Sequence, residues 1–242
     1  MSDDAMPAPD ATCDGGDLDC GSGLLLIIRS AMAPLGAGGV LLVRSREGSV
    51  REDLPAWCRM VGHTMLAMTP AEGGYTDYLL RKKDDDAALS EDLQKARDHV
   101  WQTRVRWTGG MQAKATVRNH SLAIGQPASF DVQDEAPSAL ELLLAALGGA
   151  LNTGLQWRLS RQGIEVRNLE VVVKGRLADS LVFLGVTEPG DPGLRALEVT
   201  IYADADCDLD KLQETLQETV RRCPVTRSLQ RGTEIEIQAR TL

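Results

Sequence analysis

Two cysteines stand where a sulfur atom can be made reactive. Cys20 directly precedes Gly21-Ser22-Gly23 and the apolar run Leu24–Leu35, which reads as a helix with Ser22 placed to cap its first turn. A thiol at a helix N-terminus faces unpaired backbone N–H groups and the positive end of the helix dipole. Both favour the thiolate, which is the nucleophilic form. Arg44, Arg46, Arg51 and Arg59 follow in the same stretch and offer positive charge. Cys223 precedes Pro224, a residue suited to the first helical position, and has Arg221, Arg222 and Arg227 nearby, so it is expected at the N-cap of a short helix. Each has a bland alternative. Cys20 can be packed beneath the helix start, and Cys223 can be a small buried hydrophobe.

The remaining polar groups point to no metal and no cofactor. Cys13, Cys58 and Cys207 bring the cysteines to five, an odd number without framework spacing, as expected of free thiols in a reducing cytoplasm. Cys58 falls on an apolar helix face and reads as core. His63, His99 and His120 are too dispersed to pair with cysteines at zinc spacing. Asp204, Asp206, Asp208 and Asp210 alternate as in a calcium loop but lack its glycine and distal glutamate; Asp208 reads as a helix N-cap. Gly36-Ala37-Gly38-Gly39 follows a helix and precedes a strand, the wrong order for cradling phosphate.

The elements that must position the two thiols fall into two groups. Residues 1–15 read as a disordered acidic tail and 16–83 as a small domain: a helix over Leu24–Leu35, a strand over Val40–Arg44, a helix from about Val50 to Val61 stopped by Gly62, and strands over Thr64–Met68 and Tyr75–Leu80. Residues 84–100 are polar and read as a linker. In 101–242, meandering strands up to Phe130 precede a long helix, Ser138–Arg161. Strands at Leu169–Lys174 and Leu197–Tyr202, an amphipathic helix at Asp208–Arg222 and a strictly alternating strand at Thr233–Ala239 follow. The fold class is α+β.

The net charge of −9 sits mainly in residues 1–19 (−6) and in the linker (−4), while residues 20–83 carry +3. Aromatic residues are only 4%, too few to furnish stacking platforms for nucleic acid. The longest apolar stretch, Leu142–Leu151, is about half of the ~20 residues a membrane span needs. No basic segment leads into an apolar core at the start, so a cytoplasmic protein is expected.

Asp17-Leu18-Asp19-Cys20 with its following helix, and Asp53-Leu54-Pro55-Ala56-Trp57-Cys58-Arg59 with Gly62-His63, resemble the TusA/SirA-like sulfur-carrier domains. The resemblance implies a βαβαββ domain in which Cys20 carries a persulfide. The family's Cys-Pro-x-Pro is here Cys20-Gly21-Ser22-Gly23, so both prolines are glycines. Val105-Arg106-Trp107-Thr108-Gly109-Gly110, Ala136 to Ala150, Gly163-Ile164-Glu165 and Cys223-Pro224-Val225 resemble the OsmC/Ohr family of thiol-dependent hydroperoxide reductases.

The second resemblance implies an intertwined homodimer around a long buried central helix. Its peroxidatic cysteine falls at Ala150, its partner glutamate near Leu140 beside Glu141, its thiolate-steadying arginine near Met111, and its second cysteine at Cys223. Without a thiol at 150 the usual peroxidase cycle does not run, since a sulfenic acid must form there and be resolved by a second thiol. Three readings stay open. The first is sulfur transfer or redox chemistry, in an oxidative-stress setting, through Cys20 and Cys223 with a sulfur donor or acceptor protein. The second is a non-catalytic dimer holding a small hydrophobic ligand among Met111, Leu140, Glu141, Leu143 and Ala150. The third is residual hydroperoxide reduction through Cys223. Whether the chain turns over a substrate stays open with them.

Overall fold

In a computed structural model, residues 6–83, 94–127, 135–233, 235 and 237 are described. They form two compact units, 1–100 with 157–165, and 101–156 with 166–242.

Unit 1 runs β1 (Ala11–Gly16), α1 (Leu25–Met32), β2 (Val40–Ser45), α2 (Val50–Val61), β3 (Thr64–Pro70) and β4 (Thr76–Arg81). The sheet order is β1-β2-β4-β3. β1 and β2 are parallel, a pairing that needs a crossover, and α1 supplies it. The other pairs are antiparallel. Ile28 and Met32 of α1 and Leu54, Trp57 and Cys58 of α2 close over Leu41, Val43, Tyr78 and Leu80 to make the core. α2 has the limits its sequence predicts and stops at Gly62, whose φ of 82° is the left-handed conformation of a helix C-cap.

Two expectations need correction in this unit. The tail read as disordered through residue 15 is ordered at its end: Ala11, Thr12 and Cys13 pair with Leu41, Leu42 and Val43, and Cys13 is buried. Asp10 also accepts the Val40 backbone N–H at 2.8 Å. The segment Ala-Thr-Cys-Asp-Gly-Gly carries little apolar alternation, so only its ladder to β2 reveals it as a strand. The helix expected over Leu24–Leu35 is regular only over Leu25–Met32. Cys20–Leu24 forms a wider turn, broken at Gly23 with φ 114°.

Unit 2 opens with the meander β5 (Arg104–Gly109), β6 (Gln112–Val117) and β7 (His120–Ile124). The long helix α3 (Ala139–Ser160) follows, and its residues to 156 belong to this unit. Next come β8 (Val166–Leu177), the short α4 (Ser180–Phe183), β9 (Leu194–Ala205), α5 (Leu209–Arg222) and α6 (Pro224–Arg231). β8 and β9 are twelve residues each, longer than their apolar alternation suggests, because the antiparallel ladder continues through polar positions such as Asn168 and Arg176. The strand expected at Thr233–Ala239 lies largely outside the described residues.

Within unit 2, α3 buries one stripe, Leu147, Leu151 and Leu155, at the four-residue spacing of a single helix face. Leu143, Ala145, Ala146 and Gly149 on other faces are exposed in the single chain. A Cβ at Gly148 would stand 3.2 Å from Val173 of β8, so this glycine allows helix and strand to approach closely; at Gly149 nothing lies within 4 Å. No helix among the described residues is long and apolar enough to cross a membrane.

Candidate functional site

Cys20 lies in the turn that carries the chain from β1 to α1. The cap of this turn is Asp19, not Ser22: its side chain accepts the Ser22 backbone N–H at 2.5 Å. A carboxylate rather than the sulfur therefore takes up the free donor. The break at Gly23 also leaves Cys20 a full turn ahead of the regular helix.

The electrostatics follow from this placement. Burial pushes the Cys20 thiol up to about 11, and the carboxylates of Asp53 and Asp19 push in the same direction. The expected thiolate-favouring setting is thus reversed. Two of the nearby arginines are engaged elsewhere: Arg46 pairs with Asp17 at 2.9 and 3.1 Å, and Arg44 pairs with Asp77 at 3.0 Å while lying over the Tyr75 ring. Cys58 is 1% exposed and is pushed up to about 11 by burial and by charge on Cys20, with Arg59 opposing. Cys13 is also raised to about 11, chiefly by burial. Among these three thiols Cys20 is the one that reaches solvent.

Cys223 sits where its sequence predicts. It is the N-cap of α6, and its Sγ accepts the Thr226 backbone N–H at 3.4 Å. It is 4% exposed and clusters with Leu147 and Leu151, and Ala150 packs against that cluster. Ala150 and Cys223 therefore share one apolar environment.

The other binding candidates stand apart. Met111 is 69% exposed on the β5–β6 turn and Leu143 is 37% exposed. Glu141 closes a capping box at the start of α3. Its carboxylate accepts the Ser138 backbone N–H at 2.7 Å and the Ser138 hydroxyl at 2.8 Å, while the Ser138 oxygen accepts the Glu141 N–H. These bonds hold the Glu141 carboxyl below its usual range. Leu140 is half-buried in the same helical turn.

Unit 2 holds an apolar groove of about 680 Å³ lined by Leu147, Leu151, Leu155, Leu197, Leu212 and Leu216 among others; Met111, Leu140, Leu143 and Ala150 do not line it. Leu212, Leu216 and Val220, one face of the amphipathic helix expected at Asp208–Arg222, form its α5 wall. Asp53 and Asp19, whose carboxylates add to the effect of burial on Cys20, had no such sequence signal.

The N-terminal region of about 77 residues aligns with curated sulfur carriers. It is 35% identical over 77 residues to the sulfur carrier protein TusA of Pseudomonas putida, covering 94% of that protein and 32% of this chain. It is 37% identical over 76 residues to TusA of Pseudomonas entomophila, covering 92% of that protein and 31% of this chain. The chain belongs to the TusA family. The family model described as OsmC-like protein matches residues 132–238, so this TusA-family chain carries an OsmC-like domain at its C-terminus.

Among solved structures, an OsmC-like protein from Mycoplasma pneumoniae aligns over 56% of this chain and 90% of its own, at 16% identity and a TM-score of 0.48. The organic hydroperoxide resistance protein OhrB of Bacillus subtilis aligns over 55% and 92%, at 20% identity and a TM-score of 0.38. The TusA relatives and the OsmC-like family model together mark a protein of sulfur-transfer and redox type.

Proposed function

We propose that the chain is a sulfur carrier whose Cys20 holds sulfane sulfur as a persulfide, with a catalytically silent OsmC-like domain as its dimeric platform. The carrying observation is Cys20 itself. It is the thiol of unit 1 that reaches solvent, at the turn between β1 and α1 of a TusA-family domain, with Cys13 and Cys58 buried around it. A thiol kept protonated by burial and by Asp19 and Asp53 resists indiscriminate oxidation, because the thiolate is the reactive form. Transfer then depends on a donor or acceptor protein whose positive charge offsets the two carboxylates.

Silence of the second domain follows from two features. Position 150 is alanine, and Cys223 is buried with its sulfur engaged as a helix cap. Support for the dimer comes from the exposed faces of α3 and from Val105, Trp107 and Leu122, which leave the meander with exposed apolar side chains. A reducing cytoplasm fits the five free thiols.

The test is to incubate the full chain with inorganic polysulfide, alkylate, and map the peptides by mass. Added sulfur on Cys20, absent in Cys20→Ser, is expected; an unmodified Cys20 under donor excess contradicts the proposal. A second reading rests on the apolar groove of unit 2, whose volume falls in the range of small-molecule sites. Native mass spectrometry of the purified dimer decides it. A retained hydrophobic small molecule supports a binding role for this domain, and a bare dimer removes it.

A further inference from the structure

The turn presenting Cys20 takes a shape that glycine permits. Gly23 has φ 114°, which L side chains rarely adopt and which proline, fixed near −65°, does not reach. A Cβ at Gly21 would meet nothing closer than Asp19 Oδ1 at 3.4 Å. The turn is therefore free to shift the Cys20 sulfur in a way that a turn framed by two prolines is not.

The core cluster against which Cys20 packs holds a second thiol. Cys58 of α2 is 1% exposed within the core cluster, and Cys20 packs against that same cluster. The turn and α2 are in direct contact. Charge on Cys20 acts on Cys58 more strongly than the adjoining Arg59 does. Both sulfurs are free thiols. The mechanism of carriage uses Cys20 and leaves Cys58 unassigned.

Resting on the carrier reading above, we propose that Cys20 and Cys58 are a redox pair: sulfane sulfur that meets no acceptor is discharged inward, Cys58 resolving the Cys20 persulfide to an intramolecular disulfide and hydrosulfide. The Cys58 sulfur attacks Cys20 Sγ. The Cys20–Cys58 bond forms as the bond between Cys20 Sγ and the outer sulfur breaks. The bonding pair leaves with the outer sulfur, and the proton given up by Cys58 goes to the departing sulfide or to water. Counted from the unloaded dithiol, the two cysteine sulfurs are oxidised and the sulfane sulfur is reduced to sulfide, so no further oxidant enters. A dithiol reductant then restores the pair by exchange. Closing the bond requires Cα atoms within about 7 Å, an adjustment that Gly21 and Gly23 allow the turn to make. Burial keeps Cys58 protonated for most of the time, so discharge is slow beside transfer to a docked acceptor.

The experiment loads the full chain with inorganic polysulfide, removes the excess, and follows intact mass, released hydrosulfide and peptide maps. In the wild type, loss of the added sulfur is expected to match hydrosulfide released and a cross-linked peptide containing Cys20 and Cys58. Cys58→Ala is expected to stay loaded about tenfold longer or more, since the attacking thiol is gone. Cys58→Val, which keeps an apolar side chain in the core, is expected to behave alike. Equal decay in all three proteins with no cross-linked peptide overturns the inference while leaving Cys20 as a carrier. A Cys20 that never loads overturns both.

Discussion

Replacing Asp53 with asparagine tests the electrostatic account of Cys20. The wild-type thiol is raised from 9.0 to about 11, so below pH 9 its thiolate fraction is about a hundredfold smaller than that of an unperturbed thiol. Burial is the largest cause, Asp53 the second and Asp19 the third. Asp53 therefore accounts for no more than about half of the two-unit rise, and its neutralisation speeds thiolate-dependent chemistry by at most about tenfold. The assay is alkylation by iodoacetamide across pH 7–11, with the Cys20 peptide quantified separately by mass. The wild-type profile is expected to be still climbing at pH 10, and Asp53→Asn is expected to react a few-fold faster at pH 8 with a lower midpoint. Asp53 lies in the first turn of α2, so asparagine also forfeits about 0.3–1 kcal/mol of favourable interaction with the helix dipole, which a melting curve registers. A wild-type midpoint at or below 9, or an Asp53→Asn rate that is unchanged or slower, refutes the reasoning.

Other expectations can be checked on the same protein. Gly23→Pro is expected to lower the melting temperature, because proline does not reach φ 114° and such backbone conflict costs about 1–3 kcal/mol; Gly21→Ala, whose Cβ would make an ordinary contact with Asp19 Oδ1 at 3.4 Å, should melt close to wild type. Ala150→Cys should gain a hydroperoxide-dependent disulfide to Cys223, which peptide mapping detects, because both positions share one apolar cluster; a variant that keeps two free thiols after oxidation counts against that packing. Thermal stability should hold below pH 9 and fall as pH rises toward 11. The unfolded thiols ionise near 9.0, whereas folded Cys13, Cys20 and Cys58 resist ionisation until about 11. Cys58→Ala should flatten that slope, and a midpoint that does not move between pH 9 and 11 contradicts the burial argument.

Residues whose signals are local were legible in the sequence. Gly62 marked the end of α2, and Cys223-Pro224 marked the start of α6, because a left-handed cap and a proline at the first helical position are properties of a few consecutive residues. β1 was hidden because its evidence is a parallel ladder to β2, thirty residues away. The setting of Cys20 was misread for two physical reasons. A flanking carboxylate, Asp19, competes for the helix-start donor that was assigned to the sulfur. A carboxylate on a different helix, Asp53, reaches the site only once the chain folds. The ligand region expected around Met111 and Leu143 rested on positions that lie exposed in the single chain, whereas the apolar groove is built by residues far apart in sequence, such as Leu151, Leu197 and Leu216.

The central claim is that Cys20 accepts and holds sulfane sulfur. Its most direct measurement is the mass of the Cys20 peptide after exposure of the full chain to inorganic polysulfide, read against Cys20→Ser. One added sulfur on the wild-type peptide, removed by a dithiol reductant and missing from the variant, is the predicted result. A wild-type Cys20 peptide without added sulfur, or equal sulfur uptake by the Cys20→Ser protein, contradicts the account.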